Sequence, residues 1–496
     1  MAKYLDLGYL NAEVKTKVTR QPNDPHRVDI TYLITENQQV RVRDVVLLGQ
    51  KVTRPKLIDQ TADISVETPL SQGKLLQAQS DLYNLGIFDW ASVGPKKEIT
   101  DQTDAQALVK VHEAKRNEIT YGVGFEATRR GGNVPTGTVA IPGLPTIGLG
   151  KNQIVPSQAT FVSPRGSIEF TRRNLLGLGE TGQISVLAAR LDQRALASYS
   201  DPHFRYTKWN ALTTLSLERT TENPLFAARL ADAAFQLERT LDAAKTTRLQ
   251  IRYDFNKTRL SELLIPQLVL PEDRNVRLST VSATLIKDTR DKPLDAHHGV
   301  FGTLNLGITP TALGSSANFA KMFGQYAFYR PMGGIVWANS VRLGLAKGFA
   351  GSFVPTSQLF FTGGGTTLRG FPLNGAGPQR LVPFCVSGAA TSSCTSEITV
   401  PVGGEQLFIL NSELRFPLHI AINVLKPLGA VVFYDGGNVY SRINFNEFLN
   451  NYTNTVGIGL RYGTPIGPVR VDVGRNLNPV PGLGSTQYFI TLGQSF

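Results

Sequence analysis

The residues best suited to chemistry lie at 363–371, where Gly363, Gly364 and Gly365 lead through Thr366 and Thr367 to Leu368, Arg369, Gly370 and Phe371. Three glycines permit turns that a Cβ would forbid. They deliver one arginine flanked by two large apolar side chains, a mixture that a polar loop tip does not need. The pattern predicts a loop that folds back into a cavity, packs Leu368 and Phe371, and offers a planar guanidinium to a waiting carboxylate. A surface loop with a chance Arg-Gly pair is the competing reading, and the rest of the chain must decide between them. Other reactive sets are weak. Six histidines are scattered, and the adjacent His297 and His298 fall in a predicted turn. There is no nucleophile elbow and no His/Cys metal cluster, so a hydrolase is disfavoured and no cofactor or metal is expected. The two cysteines, Cys385 and Cys394, share the segment that holds Arg369. Their close spacing in a loop facing an oxidising exterior makes them a disulfide candidate, with two free thiols as the alternative.

The chain has 496 residues, 18% of them charged, with 47 glycines and a formal net charge of +12. So few charges, against a typical quarter, imply that part of the surface does not meet water. Mean hydropathy is −0.10, and no run of about 18 apolar residues is present, which disfavours a helical membrane span. Lys and Arg are dispersed through strand-like runs, which disfavours nucleic acid and leaves an anionic membrane surface as a partner for the basic charge. Residues 1–10 lack a charged start followed by an apolar core, so no secretory signal is read there. The expectation is either a cytosolic protein or a fragment without its beginning.

Residues 4–9 read as the end of a helix stopped at Gly8, and Val28, Ile30, Tyr32 and Ile34 alternate as a strand. A small domain follows over 38–114, with a strand at 39–49, a helix near 54–62 opened by Pro55, and a second helix near 71–84. Ser71 is its candidate cap, and Leu75, Ala78, Leu82 and Leu85 form its apolar stripe. Strands near 90–98 and 106–114 complete a β-α-α-β-β order.

From Glu118 the helical period disappears. Leu249, Ile251, Tyr253 and Phe255 alternate with Arg248, Gln250, Arg252, Asp254 and Asn256. Val469, Val471 and Val473 alternate with Arg470 and Asp472. Such runs approach the ~10 residues that cross a bilayer at a tilt. Their arginine-bearing faces suit a wet lumen and their aromatic faces suit lipid. About sixteen candidates lie between 118–127 and 486–496, the fourth being short. If the small domain is periplasmic, the long segments 128–158, 261–275 and 351–404 all fall outside, the asymmetry expected of an outer-membrane barrel. The fold class is therefore mainly β: a 16-stranded antiparallel transmembrane β-barrel preceded by α+β domain material.

Several motifs together resemble the BamA/TamA outer-membrane assembly-factor superfamily. The order of elements at 38–114, with Leu85, Gly86, Ile87 and Phe88 after the second helix, resembles a POTRA domain. Leu368 to Phe371 resembles the family's loop-six signature. The turns Asn174–Gly179 and Ser200–Phe204, the segment Asp288–Asp291 through Gly299, the strand Asn411–Pro417, and the closing runs Phe433–Val439 and Gly463–Pro468 resemble further family elements in order. The final alternation of Tyr488, Ile490 and Leu492, ending on Phe496, resembles the family's C-terminal recognition signal. The resemblance implies a truncated POTRA domain at 1–37, a POTRA domain at 38–114, and a barrel at 115–496 with an inserted loop at 351–404. It implies Glu413 and Asp435 as inward-facing acceptors for Arg369, with Gly364, Gly370 and Phe371 shaping the loop. The role is structural anchoring, not proton transfer. Strand parity agrees for Glu413, which shares a face with Asn411 and Arg415. It is less clean for Asp435, whose parity is shared by Val431 and Phe433.

An openable seam is expected between the strand at 118–127 and the last strand, where Gly122, Gly124 and Gly493 would ease bending. The same glycines could merely curve the barrel. The function so implied is assembly or translocation of outer-membrane proteins. The implied partners are outer-membrane lipid, unfolded outer-membrane substrates, and periplasmic or inner-membrane accessory subunits. The implied location is the bacterial outer membrane with POTRA material in the periplasm. A two-partner secretion transporter with one dedicated substrate is the main alternative. A simple porin would have no use for residues 38–114.

Overall fold

The computed structural model describes residues 1–21, 24–100, 102–130, 139–141, 144–147, 159–190, 192–220, 227–261, 270–372, 374–384, 396–418, 427–464, 468–478, 484–492 and 494. The chain divides into two compact units. One comprises Met1–Thr120, Glu169–Ile184 and Ser198–Ala211; the other comprises Tyr121–Ile168, Ser185–Ala197 and Leu212–Phe496.

In the first unit, a short helix Ala2–Asp6 precedes a hairpin of Glu13–Gln21 and Asp24–Thr35. Helix α1 (Pro55–Ala62) opens on proline, whose missing N–H costs nothing at that position. Helix α2 (Gln72–Asn84) is capped by Ser71, whose Oγ accepts from the Lys74 N–H at 3.1 Å. The stripe Leu75, Ala78 and Leu82 is buried as the helical period requires. Both helices cover a three-stranded sheet in which Arg41–Leu48 runs parallel to Asp104–Glu113, and Phe88–Pro95 runs antiparallel to it. Residue Glu113 ties the 51–53 turn. Its Oε1 accepts from the N–H groups of Lys51, Val52 and Thr53 at 2.9, 2.9 and 2.7 Å, and from Thr53 Oγ1 at 2.7 Å.

Two of the sequence motifs find their physical role in this unit. Asn174 donates from Nδ2 to Thr53 Oγ1 at 2.8 Å and accepts at Oδ1 from the Gly179 N–H at 3.1 Å. The Gly177 carbonyl accepts from the Arg54 N–H at 2.8 Å. After the Ser200–Phe204 turn, Tyr206 lies under Lys56, whose Nζ is 4.2 Å from the ring centroid, and its carbonyl accepts from Gln60 at 3.3 Å. These turns clamp α1 and the residues just before it.

The large sheet has sixteen antiparallel strands. They are β1 (Asn117–Arg130), β2 (Ala159–Arg173), β3 (Thr181–Ala188), β4 (Asp192–Asp201), β5 (Asn210–Thr220), β6 (Ala227–Thr240), β7 (Thr247–Ser261), β8 (Asn275–Asp288), β9 (Gly299–Thr309), β10 (Phe319–Met332), β11 (Ile335–Gly348), β12 (Gln406–Pro417), β13 (Leu428–Tyr440), β14 (Thr453–Tyr462), β15 (Val469–Asn476) and β16 (Thr486–Leu492). Each pairs with its neighbour in sequence, β11 meeting β12 across the inserted loop, and β1 and β16 are the two ends of the order. The expected count of sixteen holds, and the fourth strand, expected to be short, spans ten residues. No helix among the described residues is long and apolar enough to cross a membrane; the spanning elements are strands.

The outward faces carry apolar side chains such as Leu304, Leu306, Val432 and Ile458, which packing inside the protein leaves exposed. The inward faces surround the inserted loop. There Leu368, Phe371, Phe360, Ala376 and Val354 join Phe319, Leu407, Ile409 and Val439 in one apolar cluster. That packing is the hydrophobic support of the finger that carries Arg369. The inserted loop also holds a hairpin of Gln379–Phe384 and Ser396–Pro401 that the sequence pattern did not announce.

Candidate functional site: the buried arginine network

Register builds the site. Residues Asn411 and Asp435 are directly opposed on β12 and β13, as are Asp435 and Thr455 on β13 and β14. On β14 and β15, Arg461 opposes Arg470 and Gly459 opposes Asp472. Inward-facing polar residues of four consecutive strands therefore converge on the tip of the inserted loop.

Arg369 is fully buried. Its Nε and Nη2 donate to the two oxygens of Asp435 at 2.8 and 2.7 Å, a bidentate fork, and its backbone N–H adds a third bond at 3.1 Å. Its Nη1 donates to Glu413 Oε1 at 2.5 Å and lies 3.8 Å from Asp472 Oδ2. The guanidinium carbon sits 3.4 Å from the centroid of the Phe433 ring, whose π face favours a cation there. Both carboxylates are themselves fully buried. Asp435 also accepts from Asn411 Nδ2 at 2.8 Å, and the same amide donates to the Thr367 carbonyl at 2.7 Å, fixing the loop backbone beside its arginine.

A second tier surrounds the first. Arg415 Nε donates to Glu413 Oε2 at 2.9 Å. Arg461 Nη1 donates to Asp472 Oδ1 at 2.5 Å, and Arg470 Nη1 reaches Asp472 Oδ2 at 3.2 Å. Four arginines thus share three carboxylates, all within the buried class. A buried ion pair repays its desolvation only when geometry is good and the remaining lone pairs are met; the shared carboxylates supply that here. Chemically the cluster is an anchor. Its carboxylates are acceptors already occupied by guanidinium groups.

The glycines make the approach feasible. A Cβ on Gly370 would stand 2.6 Å from the Asn476 nitrogen and 2.7 Å from Thr455 Oγ1. A Cβ on Gly474 of β15 would stand 2.1 Å from the Arg369 carbonyl oxygen. Loop and barrel wall therefore touch backbone to backbone. Gly364 takes φ +101° in the turn before the arginine, and its N–H donates to the Phe371 carbonyl at 3.1 Å, closing the tip on itself.

The structure brings Arg369, Glu413, Asp435, Gly370, Phe371 and Gly364 together. Gly122 and Gly124 lie on β1, and Tyr488 and Ile490 lie on β16 with exposed side chains. Leu492 is the last residue of β16. Cys385, Cys394, Gly493 and Phe496 fall outside the described residues. Sequence reasoning did not find Arg461, Asp472, Phe433 or Asn411 as members of the site. Arg470 and Asp472 were visible as the polar face of an alternating strand, but only pairing register shows that they meet Arg461.

The Omp85 superfamily domain profile matches residues 174–496. The chain is 21% identical over 485 residues to the outer membrane protein assembly factor BamA of Neorickettsia risticii, covering 95% of this chain and 57% of that protein. It is 23% identical over 486 residues to the BamA of Nitratidesulfovibrio vulgaris, covering 95% and 53%. The chain therefore spans little more than half the length of the curated relatives it matches. The crystal structure of BamA from Haemophilus ducreyi lacking POTRA domains 1–3 is similar in fold, with a TM-score of 0.63 at 17% identity, covering 98% of this chain and 90% of that one.

Proposed function

This chain belongs to the Omp85 superfamily, and on that premise we propose that it is an outer-membrane assembly factor that inserts unfolded β-barrel or autotransporter substrates through a lateral gate between β1 and β16. The observation that carries the gate is the state of β1. Its outward residues Ile119, Tyr121, Val123 and Phe125 are 63–89% exposed, against 41% and 50% for Leu304 and Leu306 in mid-sheet. Residues 117–125 are exposed on both faces. A strand flanked by neighbours on both sides hides more than that, so β1 has the surface of an edge. Unpaired backbone groups facing lipid cost several kcal/mol each. An incoming substrate strand would remove that cost by edge addition. Gly124 has open space where a Cβ would stand, which leaves this strand little side-chain packing to lose.

Residues 38–114 serve in this reading as a POTRA domain that receives the substrate. Phe88–Pro95 is an edge of its three-stranded sheet, and Trp90 on it is exposed. An extended chain can pair there before it reaches the barrel. Arg369 holds the inserted loop so that the gate can open without loss of the lumen plug.

The test is a disulfide across the seam. With Cys385 and Cys394 replaced by serine, Gly122→Cys is combined in turn with Tyr488→Cys and with Ile490→Cys. The oxidised protein in liposomes is expected to stop inserting an outer-membrane barrel, and reductant is expected to restore it. A cross-linked barrel that inserts substrate at the wild-type rate contradicts the gate. Depletion of the protein separates the assembly factor from a transporter with one dedicated substrate: many outer-membrane barrels are lost in the first case, one secreted product in the second.

A further inference from the structure

We propose that the outward face of β4–β8, at its outer end, is a binding site for a phosphate-bearing anionic lipid of the outer leaflet. This rests on the proposed reading in placing the small domain in the periplasm: β1 then leaves it outward, odd-numbered strands run outward and even-numbered strands return. The outer ends of β4, β5, β6, β7 and β8 are then at residues 192, 220, 227, 261 and 275. Arg194, Arg219, Arg229, Lys257, Arg259 and Arg277 each lie within four positions of one of these ends, and all six are exposed.

The outward face changes character abruptly there. On β7 it reads Ile251, Tyr253 and Phe255, then Lys257 and Arg259. On β8 the residues below Arg277 on that face include Val281 and Leu285, and on β5 those below Arg219 are Leu215 and Leu217. Two residues of strand rise about 7 Å, the thickness of one headgroup layer, roughly 5–7 Å. The basic side chains therefore stand at the level of lipid headgroups, directly above the band that meets acyl chains.

Two features separate this arc from ordinary surface charge. Register places like charges opposite each other: Arg229 faces Arg259, and Lys257 faces Arg277. Such pairs destabilise a sheet unless an anion lies between them. Among the described residues, none of the six stands in an ion pair, whereas Lys347, on the outer end of β11, is paired with Glu405 at 3.2 Å. The arc also encloses an open depression of about 570 Å³ in which Arg219, Arg229, Lys257 and Arg259 outnumber the one acid, Glu218, and stand beside Leu217. Cationic groups beside apolar ones suit an amphiphile, a phosphate at the guanidinium groups and a chain along the aliphatic floor.

The test uses full-length protein in a zwitterionic detergent, with diphosphoryl lipid A and inorganic phosphate as probes. The variant carries Arg229→Gln, Lys257→Gln and Arg259→Gln; Arg475→Gln, a basic residue at the outer end of β15, is the control. Lipid A is expected to raise the Tm of the wild type and of the control by roughly 2–4 °C, and to leave the triple variant unchanged. Without lipid the triple variant is expected to melt no lower than the wild type, because its like-charge pairs are gone. An equal gain in all three proteins overturns the site. So does an equal gain from inorganic phosphate at matched concentration, which would make this a free-anion surface. The outcome is independent of whether the seam opens, so failure here leaves the assembly reading standing, and the reverse.

Discussion

The arc β12–β15 and the strand β1 belong to one sheet and are built on opposite principles. In the arc, polar side chains point inward, are buried, and are joined by ion pairs to one another and to Arg369 of the inserted loop. At Gly474 the wall backbone meets the Arg369 carbonyl of the loop, with no room for a Cβ. Over residues 117–125 of β1 both faces are exposed, and a Cβ on Gly124 would meet nothing within 4 Å. The same residue type therefore marks tight contact at one place and absent contact at another. The difference is one of support: the loop is held by charge and packing, while residues 117–125 at the end of the sheet order carry little side-chain cover, which is the contrast the proposed gate rests on.

Breaking the arc should give the largest effect. Arg369→Ala leaves Glu413 and Asp435 buried beside a missing cation, and removal of one partner from a buried pair costs roughly 3–5 kcal/mol. Unfolding in urea, or proteolysis within 351–404, measures it; unchanged stability and unchanged loop protection would show that the network is ornamental. Arg369→Lys should recover only part of the loss, because an ammonium cannot make the bidentate fork.

Next in size is Gly370→Ala. The added methyl meets the Asn476 nitrogen and Thr455 Oγ1, and overpacking of that kind costs typically 1–3 kcal/mol. Its counterpart on the seam is Gly124→Ala, where the methyl enters open space. That change should stay within about 0.5 kcal/mol of wild type. Equal effects at the two glycines would erase the contrast between arc and seam.

The smallest effect lies outside both regions and calibrates them. Partial burial alone would raise the Glu113 carboxyl, but the hydrogen bonds from Thr53, Lys51 and Val52 outweigh it and hold its pKa below the ordinary carboxylate value. A depressed folded value means that its stabilisation is present above the unfolded value and is lost as pH falls through the folded one. The small domain should therefore loosen in acid, and Glu113→Gln should flatten that part of its pH profile, with tryptophan fluorescence at Trp90 as the readout. A variant that keeps the full acid sensitivity places the effect on another carboxylate.

Most of the barrel was legible because lipid outside and polar lumen inside impose a period of two, which local sequence carries. Glu413 was legible for the same reason. Asp435 was harder, because Phe433 and Val431 share its parity; the structure shows Phe433 turned inward to lie under the guanidinium. Arg461 and Asp472 sit eleven residues apart and meet only through the pairing of β14 with β15, information that no local pattern holds. The helix Phe445–Asn450 was missed as well: it is six residues long, and Asn444 caps it through a bond from the Asn446 N–H at 2.9 Å.

Amide hydrogen exchange of the full chain in detergent micelles, read by mass spectrometry, sets the seam against the arc most directly. Peptides from 117–125 and 486–492 should exchange about a hundredfold faster than those from 429–437 and 453–461, as weakly packed segments do relative to densely packed ones. Equal protection across these four stretches would contradict a pinned finger beside a yielding seam.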